Sequence, residues 1–369
     1  MAQAEQLDRQ AGPKTAAPSG KLTGIEHFAM PTKNIAQLER FVREVLGGVP
    51  YYYAGYDDID RQMGRKPHIF IRVGEILFQC TEEGGPMHPS KDDMSVSPHW
   101  AFGVEPDRFD GFMKVLRDND LPYEGPISQP QYGIKSIYFM SPEGHKLEIC
   151  AADTQGSSGK NSSPSVLENQ INWKKLNNNW TPKGPMPQLQ NINSVFGARE
   201  SRKDNKYGLT WMHHFTLPVK NIALMDRFMI DLLDAERWSG ETSRSATGPL
   251  RIGQSGFECT QDTGSPLYPV PGDNNISPHW SFGASAATLD RYKETLQDAG
   301  LPVAGPYRHR AVDLVSIYFK SPEGHKFEIG TWESYPPEKA GIMGAPGVGF
   351  IPWPKMDHHW KPKSSKLAS

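Results

Sequence analysis

The chain has only three cysteines in 369 residues, Cys80, Cys150 and Cys259, and no two of them make a CxxC pair. That scarcity excludes a disulfide-stapled scaffold and a thiol-ligated structural zinc site. The three sit in strand-like apolar contexts and read as small buried thiols of a reducing compartment. Neither sign of charge is in excess: 40 Lys and Arg against 42 Asp and Glu leave a net charge of −2. There is no basic stripe for nucleic acid and no acidic tail. No apolar run approaches the ~20 residues that span a bilayer, and the opening stretch MAQAEQLDRQAGPKTAAPSG has no hydrophobic segment of a signal peptide. A soluble cytoplasmic protein without a nucleic-acid or membrane partner is expected.

What the chain does contain is a repeat. Ser136 to Ile149 (SIYFMSPEGHKLEI) and Ser316 to Ile329 (SIYFKSPEGHKFEI) are identical at 12 of 14 positions and lie 180 residues apart. Each reads as strand, tight turn, strand: Ile-Tyr-Phe is β-prone, Ser-Pro-Glu-Gly is turn chemistry, and Lys-x-Glu-Ile alternates again. With Phe327 and Ile329 on one face, Glu328 must occupy the other, in mid-strand, where a carboxylate is costly to bury unless a cation faces it. Two further stretches recur. HFTLPVKNIALMDRF (214–228) matches HFAMPTKNIAQLERF (27–41) at 9 of 15 positions, and SPHWSFG (277–283) matches SPHWAFG (97–103) at 6 of 7.

Taken in order, residues 1–21 read as a disordered lead-in. Residues 22–152 form one domain of two successive β-α-β units. Its first helix is capped by Asn34, carries Ile35, Leu38, Phe41, Val42, Val45 and Leu46 at helical spacing, and stops at Gly47 and Gly48. A loop with Gly84, Gly85 and Pro86 separates the units, and the second helix spans 108–119. Residues 153–208, rich in Ser, Asn, Lys and Pro, read as a linker pinned by Trp173, Trp180 and Phe196. Residues 209–333 repeat the domain, and 334–369, with Trp353 and Trp360, read as an irregular tail without periodicity. Strand edges left open by such modules favour a homo-oligomer.

Three potential metal ligands recur on three predicted strands of each repeat. They are His27, His99 and Glu148 in the first, and His214, His279 and Glu328 in the second, with the last interval 49 residues in both. Two imidazoles and one carboxylate make a facial triad that leaves positions open for substrate and oxygen, the pattern of non-haem Fe(II); structural zinc would close its fourth position. His213 adjoins His214 but points to the other face of an ideal strand. His145 and His325 fall in turns and read as turn or surface residues. His68 and His88 have no counterparts in the second copy, and His358 and His359 lie in the tail; none of the four reads as a ligand.

These strands, the capped helix and the closing SPxGHxxEI motif resemble the vicinal oxygen chelate superfamily, which includes extradiol dioxygenases, glyoxalase I, epimerases and drug-resistance proteins. The resemblance covers both domains, roughly 250 residues, but not the linker or tail. It implies an α+β fold of two tandem domains, each of paired βαβββ modules curled into an open barrel around a metal. The second domain is most similar to type I extradiol dioxygenases, whose His, Tyr, Glu spacing is met by His309, Tyr318 and Glu328. The resemblance implies that His214, His279 and Glu328 hold Fe(II), with Mn(II) a substitute. In it His309 serves as acid and base, Tyr318 hydrogen-bonds a small aromatic diol, and O2 is the second substrate. The first domain keeps Tyr138 but has Gln129 where His309 stands, so it should lack proton transfer while retaining a possible second metal site at His27, His99 and Glu148. The family often carries one more histidine in the loop before the second ligand, and residues 260–278 contain none.

Two alternatives stay open. In glyoxalase I and methylmalonyl-CoA epimerase a fourth ligand stands where Glu258 lies here, with Gln79 its counterpart, which would suit a metal-dependent isomerase or lyase. A non-enzymatic resistance protein would share the fold without the triads. Trp280, Phe282 and Trp332 are candidate aromatic walls of a pocket, although Trp100 and Phe102 repeat the first two in the other copy.

Overall fold

The computed structural model describes residues 20–62, 64, 66–83, 87–129, 132–153, 171–186, 188–193, 205–238, 249–261, 264–309, 313–343 and 351–362. The lead-in up to residue 19, Gly84 to Pro86, Phe196 and most of the linker therefore lie outside the described residues. Among the described residues no helix is long and apolar enough to cross a membrane.

The class is α+β, and four modules are laid out in sequence. The first is β1 (Ile25–Thr32), α1 (Ile35–Glu44), β2 (Val49–Ala54), α2 (Asp58–Gln62), β3 (His68–Val73) and β4 (Ile76–Glu82). The second is β5 (His99–Val104), α3 (Phe109–Asp118), β6 (Glu124–Gln129), β7 (Ile134–Met140) and β8 (Lys146–Ala152). After the short β9 (Ile192–Asn193) the third is β10 (Leu209–Val219), α4 (Ile222–Leu233), β11 (Glu236–Arg237), β12 (Leu250–Ile252) and β13 (Ser255–Gln261). The fourth is β14 (His279–Gly283), α5 (Ala286–Asp298), β15 (Ala304–Arg308), β16 (Val315–Lys320) and β17 (Lys326–Thr331), followed by β18 (Gly341–Ile342). The first helices of the halves start as expected: Asn34 and Asn221 accept from Gln37 N–H and Leu224 N–H, which satisfies an orphan donor at each N-terminus.

The modules do not pair within their own half. The order β18-β15-β16-β17-β14-β1-β4-β3-β2-β9 joins the fourth module to the first, and β11-β12-β13-β10-β5-β8-β7-β6 joins the third to the second. β1 runs antiparallel to β14 and β10 antiparallel to β5. The α+β class with two units of paired modules holds, and within it both sheets draw on both halves. The physical reason is that duplicated modules present the same edge to a partner from either half, as exchanged elements do in domain swapping.

One face of each sheet builds a shared core, in which Phe28 stacks on Trp100 at 5.9 Å and Phe215 on Trp280 at 6.2 Å. Trp280 and Phe282 belong to this core and are not pocket walls. The sheets also meet where the turns at Gly74 (φ 61°) and Gly253 (φ 55°) run against backbone of the opposite sheet. A Cβ there would come within 2.4 Å of Leu209 O and 2.2 Å of Thr23 C, so glycine is required twice over, by conformation and by space.

The SPEGH turns are clasps. Glu143 accepts from Thr32 Oγ1 and from the Lys33 and Asn34 N–H groups, and Glu323 accepts from the Lys220 and Asn221 N–H groups. Each carboxylate thus sits at the N-terminus of α1 or α4, where the helix dipole favours it. His145 and His325 are buried rather than on the surface, because each donates Nε2–H to a carbonyl of the half's first strand, Pro31 and Pro218. The clasp holds together two modules that belong to different sheets.

The linker and tail form a further repeat with the same 180-residue offset. Ile171, Trp173, Leu176 and Trp180 correspond to Ile351, Trp353, Met356 and Trp360. Trp173 packs edge-on against Tyr138 at 6.0 Å and Trp353 against Tyr318 at 5.8 Å, while Trp180 reaches Phe41 at 5.4 Å and Trp360 reaches Phe228 at 5.5 Å. The described part of the tail is therefore a strap that repeats the linker's packing residues.

Candidate metal centres

Opposite the core, a row of paired residues crosses the larger sheet: Tyr318, Glu328, Ser281, His27, Leu77 and Arg72, on β16, β17, β14, β1, β4 and β3. His279, two residues from Ser281 on β14, joins the same face. The first centre is thus His27, His279 and Glu328. The ligand atoms form a nearly equilateral triangle, with His27 Nε2 to His279 Nε2 at 3.1 Å, His27 Nε2 to Glu328 Oε2 at 3.3 Å and His279 Nε2 to Glu328 Oε2 at 3.2 Å. The second centre is His99, Glu148 and His214, with 3.1 Å between the imidazole nitrogens and 3.1 and 3.3 Å to Glu148 Oε2.

Both expected triads are corrected in one respect. His214 does not join His279 and Glu328, nor does His27 join His99 and Glu148; the two first-strand histidines are exchanged. The cause is the cross-pairing of β1 with β14 and of β10 with β5. All six residues are ligand candidates, but each set contains one from one half and two from the other.

The donors fit a divalent cation. The triangles' edges are those of three atoms ~2.1 Å from one ion, the usual metal–nitrogen distance. Glu328 Oε1 and Glu148 Oε1 are buried without a hydrogen-bond partner, which a carboxylate tolerates when a cation compensates it. Burial opposes ionisation, yet His27 and His279 hold Glu328 well below the usual carboxylate range, and His214 and His99 do the same for Glu148. Burial alone would lower His27; Glu328 and Glu26 outweigh it and raise it to about 10. His214 is raised against its burial by Glu148, and His279 is lowered by burial.

The remaining imidazole nitrogens are fixed from behind, which sets the ring orientation. His279 Nδ1 lies 3.0 Å from Ile276 O, and His99 Nδ1 lies 3.1 Å from Val96 O. For the first-strand histidines a β-bulge does this. The register slips between Ile25 and His27 on β1 and between Met212 and His214 on β10, which turns the preceding residue toward the ligand ring instead of away from it. Glu26 Oε2 thereby contacts His27 Nδ1, and His213 Nδ1 lies 2.9 Å from His214 Nδ1. Neither role was legible in the sequence, since an ideal strand places both residues on the opposite face. Trp332 is likewise no free wall: its indole N–H donates to Glu26 Oε1 at 2.7 Å.

The surroundings of the two centres differ. Beside Glu328, Tyr318 O–H donates to His309 Nε2 at 2.9 Å. Beside Glu148, Gln129 Nε2 donates to Tyr138 OH at 2.9 Å, so an amide stands where His309 stands at the first centre, while the Tyr138 ring meets His99 edge-on at 6.3 Å. Burial lowers His309 to about 4 and pushes the Tyr318 hydroxyl well up, with the Glu328 charge adding to the latter. Near the first centre Tyr51, Tyr52, Phe70, Leu77 and Leu314 form an apolar cluster, and Phe70 meets His27 edge-on at 5.6 Å. At the second, Gly256 replaces Leu77 and the Trp238 ring fills that space, 1.6 Å from where a Cβ would stand. Cys150 Sγ lies within 4.8 Å of His213 and His214 ring nitrogens, at the position of Gly330 in the other copy.

Glu258 does not assemble with His279 and Glu328. It is two residues beyond Gly256, the register partner of His214, and so belongs near the second centre, where its charge acts on His214. It is outside the group of converging ligand atoms. Gln79 occupies the matching place near the first centre and makes a 3.5 Å contact with Thr81 Oγ1.

No family model matches the chain. The crystal structure of a Bacillus subtilis protein provisionally named a dioxygenase superposes with a TM-score of 0.54 and 16% identity, over 86% of this chain and 87% of that one. At this identity the likeness is one of fold. Metallothiol transferase FosB from Staphylococcus haemolyticus is 25% identical over 128 residues, 35% of this chain and 83% of its own length, and FosB from Staphylococcus epidermidis matches to the same extent. A stretch of about a third of this chain therefore spans most of a FosB chain.

Proposed function

We propose, from the premise that this chain belongs to the vicinal oxygen chelate superfamily and is a metalloenzyme of it, that it cleaves the ring of a catechol or related dihydroxy-aromatic compound with O2, as an Fe(II)-dependent extradiol-type dioxygenase. The observation that carries this reading is the His309–Tyr318 pair beside Glu328, which the second centre replaces with Gln129–Tyr138. His27, His279 and Glu328 would hold the metal, with Mn(II) a substitute for Fe(II). When bound, the metal supplies adjacent coordination positions for two vicinal oxygens and for O2.

The protein's own residues do the rest. His309 is neutral at pH 7, because burial lowers it to about 4; its Nε2, which accepts the Tyr318 O–H, can take a proton from a diol hydroxyl and return it later once Tyr318 turns to the substrate. Tyr318 stays protonated over the same range and donates a hydrogen bond to a substrate oxygen or to His309, orienting one against the other. The cluster of Tyr52, Phe70, Leu77 and Leu314 excludes water and offers a flat apolar surface to an aromatic ring.

The test is oxygen uptake by anaerobically Fe(II)-loaded protein against a panel of catechols and hydroquinones, with a coloured ring-opened product as the second signal. Uptake that disappears in Glu328→Gln supports the reading, and metal-loaded protein that consumes no oxygen with any diol refutes it. The likeness to FosB motivates a second reading, group transfer to a metal-bound substrate. It predicts thiol consumption without oxygen uptake, at the same triad.

A further inference from the structure

We infer that the bulged residue ahead of each first-strand histidine sets the two centres apart, so that the chain binds two divalent ions of unequal affinity, with Glu26 making the first centre the tighter one and His213 leaving the second the weaker. Glu26 is a positioning residue: it touches His27, not the metal.

The two bulges are equivalent. Each slips the register by one residue just before the ligand, on β1 against β14 and on β10 against β5. Each delivers a side chain to the Nδ1 of a histidine whose Nε2 faces its triad. In one the delivered group is a carboxylate, and in the other an imidazole. A carboxylate behind a ligating histidine fixes its tautomer and increases its basicity toward the metal, and such partners alter metal affinity by about 10–100-fold. It also adds a second negative charge one ring away from the ion. His213 supplies orientation through Nδ1 without that charge.

Glu26 is itself held in place. Its Oε1 accepts the Trp332 indole N–H at 2.7 Å, leaving Oε2 for His27. Trp332 in turn meets Tyr51 edge-on at 6.1 Å. At the second centre His213 packs against Trp238, ring centroids 5.1 Å apart, a contact that places the imidazole but brings no charge. Glu258 adds a charge that acts on His214, although its carboxylate is not among the converging atoms.

The experiment is titration of the full metal-free chain with Mn(II), following free ion by electron paramagnetic resonance. It reads binding alone, and so stands whether or not ring cleavage is the reaction. The wild type is expected to show two sites, one tighter. Glu26→Gln, which keeps the shape and removes the charge, should weaken the tight site by about 10–100-fold and leave the weak one unchanged. His213→Glu should strengthen the weak site, and His99→Ala, which touches only the second centre, should delete it. Glu26→Asp serves as the conservative rescue, and near-ultraviolet circular dichroism confirms that each variant is folded. A single site per chain, two equal sites, or a folded Glu26→Gln protein with unaltered affinities would each overturn the inference.

Discussion

If the first-strand histidines are exchanged between the halves, His27 rather than His214 serves the centre that contains His309. The perturbation is a pair of single substitutions, His27→Ala and His214→Ala. His27 Nε2 is 3.1 Å from His279 Nε2 and 3.3 Å from Glu328 Oε2, so its removal takes one of three donors from the first centre and leaves Glu328 with a single imidazole. Loss of a partner behind a ligand already costs about 10–100-fold in affinity or activity; loss of the ligand itself should exceed ~100-fold in turnover. In the metal-free protein the substitution also strips a buried carboxylate of an ion partner, a change that costs about 3–5 kcal/mol when nothing compensates it. His27→Asn is therefore the companion variant, keeping a polar group of smaller size. The assay is oxygen uptake with the best diol substrate, alongside metal content per chain and thermal unfolding. His214→Ala should keep most of the turnover and lose the metal of the second centre. The opposite result, a folded His27→Ala protein that turns over normally while His214→Ala is dead, would refute the cross-paired sheets.

Two other outcomes follow from the site. His309→Gln copies the Gln129 arrangement into the first centre and should reduce turnover by about 10²–10⁴-fold while metal content stays at the wild-type level; loss of the metal as well would assign His309 a structural role. Metal affinity of the first centre should rise with pH. His27 is raised to about 10 in the metal-free fold, so it carries a proton at neutral pH that the ion must displace. With one proton released per ion, apparent affinity should climb by about tenfold per pH unit between pH 7 and 9 and level off above His27's own value. A flat profile over that window would show that His27 is already neutral.

The sequence told part of this and concealed part, for physical reasons. All six ligand candidates were legible, because His-Phe or His-Trp on a strand and Glu in Lys-x-Glu-Ile place polar groups on a face opposite a hydrophobic one, and both copies preserve the pattern. Their grouping was not legible. The 49-residue interval from the second histidine to the glutamate is the same in both halves, and no local signal distinguishes pairing within a half from pairing across. Glu26 and His213 were hidden because alternation assigns them to the wrong face, and only a bulge, invisible to periodicity, brings them round. His145 and His325 looked like turn residues because they follow Pro-Glu-Gly, yet their ring nitrogens satisfy buried carbonyls. The strap was within reach of the sequence: Ile-x-Trp at 171 and 351 has the same 180-residue offset as the SPEGH turns, but it lies in Asn- and Pro-rich surroundings that read as linker.

The cross-pairing changes how such a chain can diverge. A stretch of 128 residues, about a third of this chain, matches most of a FosB chain, and the internal repeat makes the arrangement one that two joined copies of a single unit would form. In a symmetric pair of identical copies, any substitution appears in both centres at once. Covalent fusion removes that constraint, but because each centre takes its first histidine from one copy and its other two ligands from the other, neither copy owns a centre. Gln129 and His309, Gly256 and Leu77, His213 and Glu26 are pairs of positions that have come to differ after being equivalent. One centre now has an imidazole and an apolar cluster beside its ligand candidates, and the other an amide and the Trp238 ring, within sheets that each take strands from both halves.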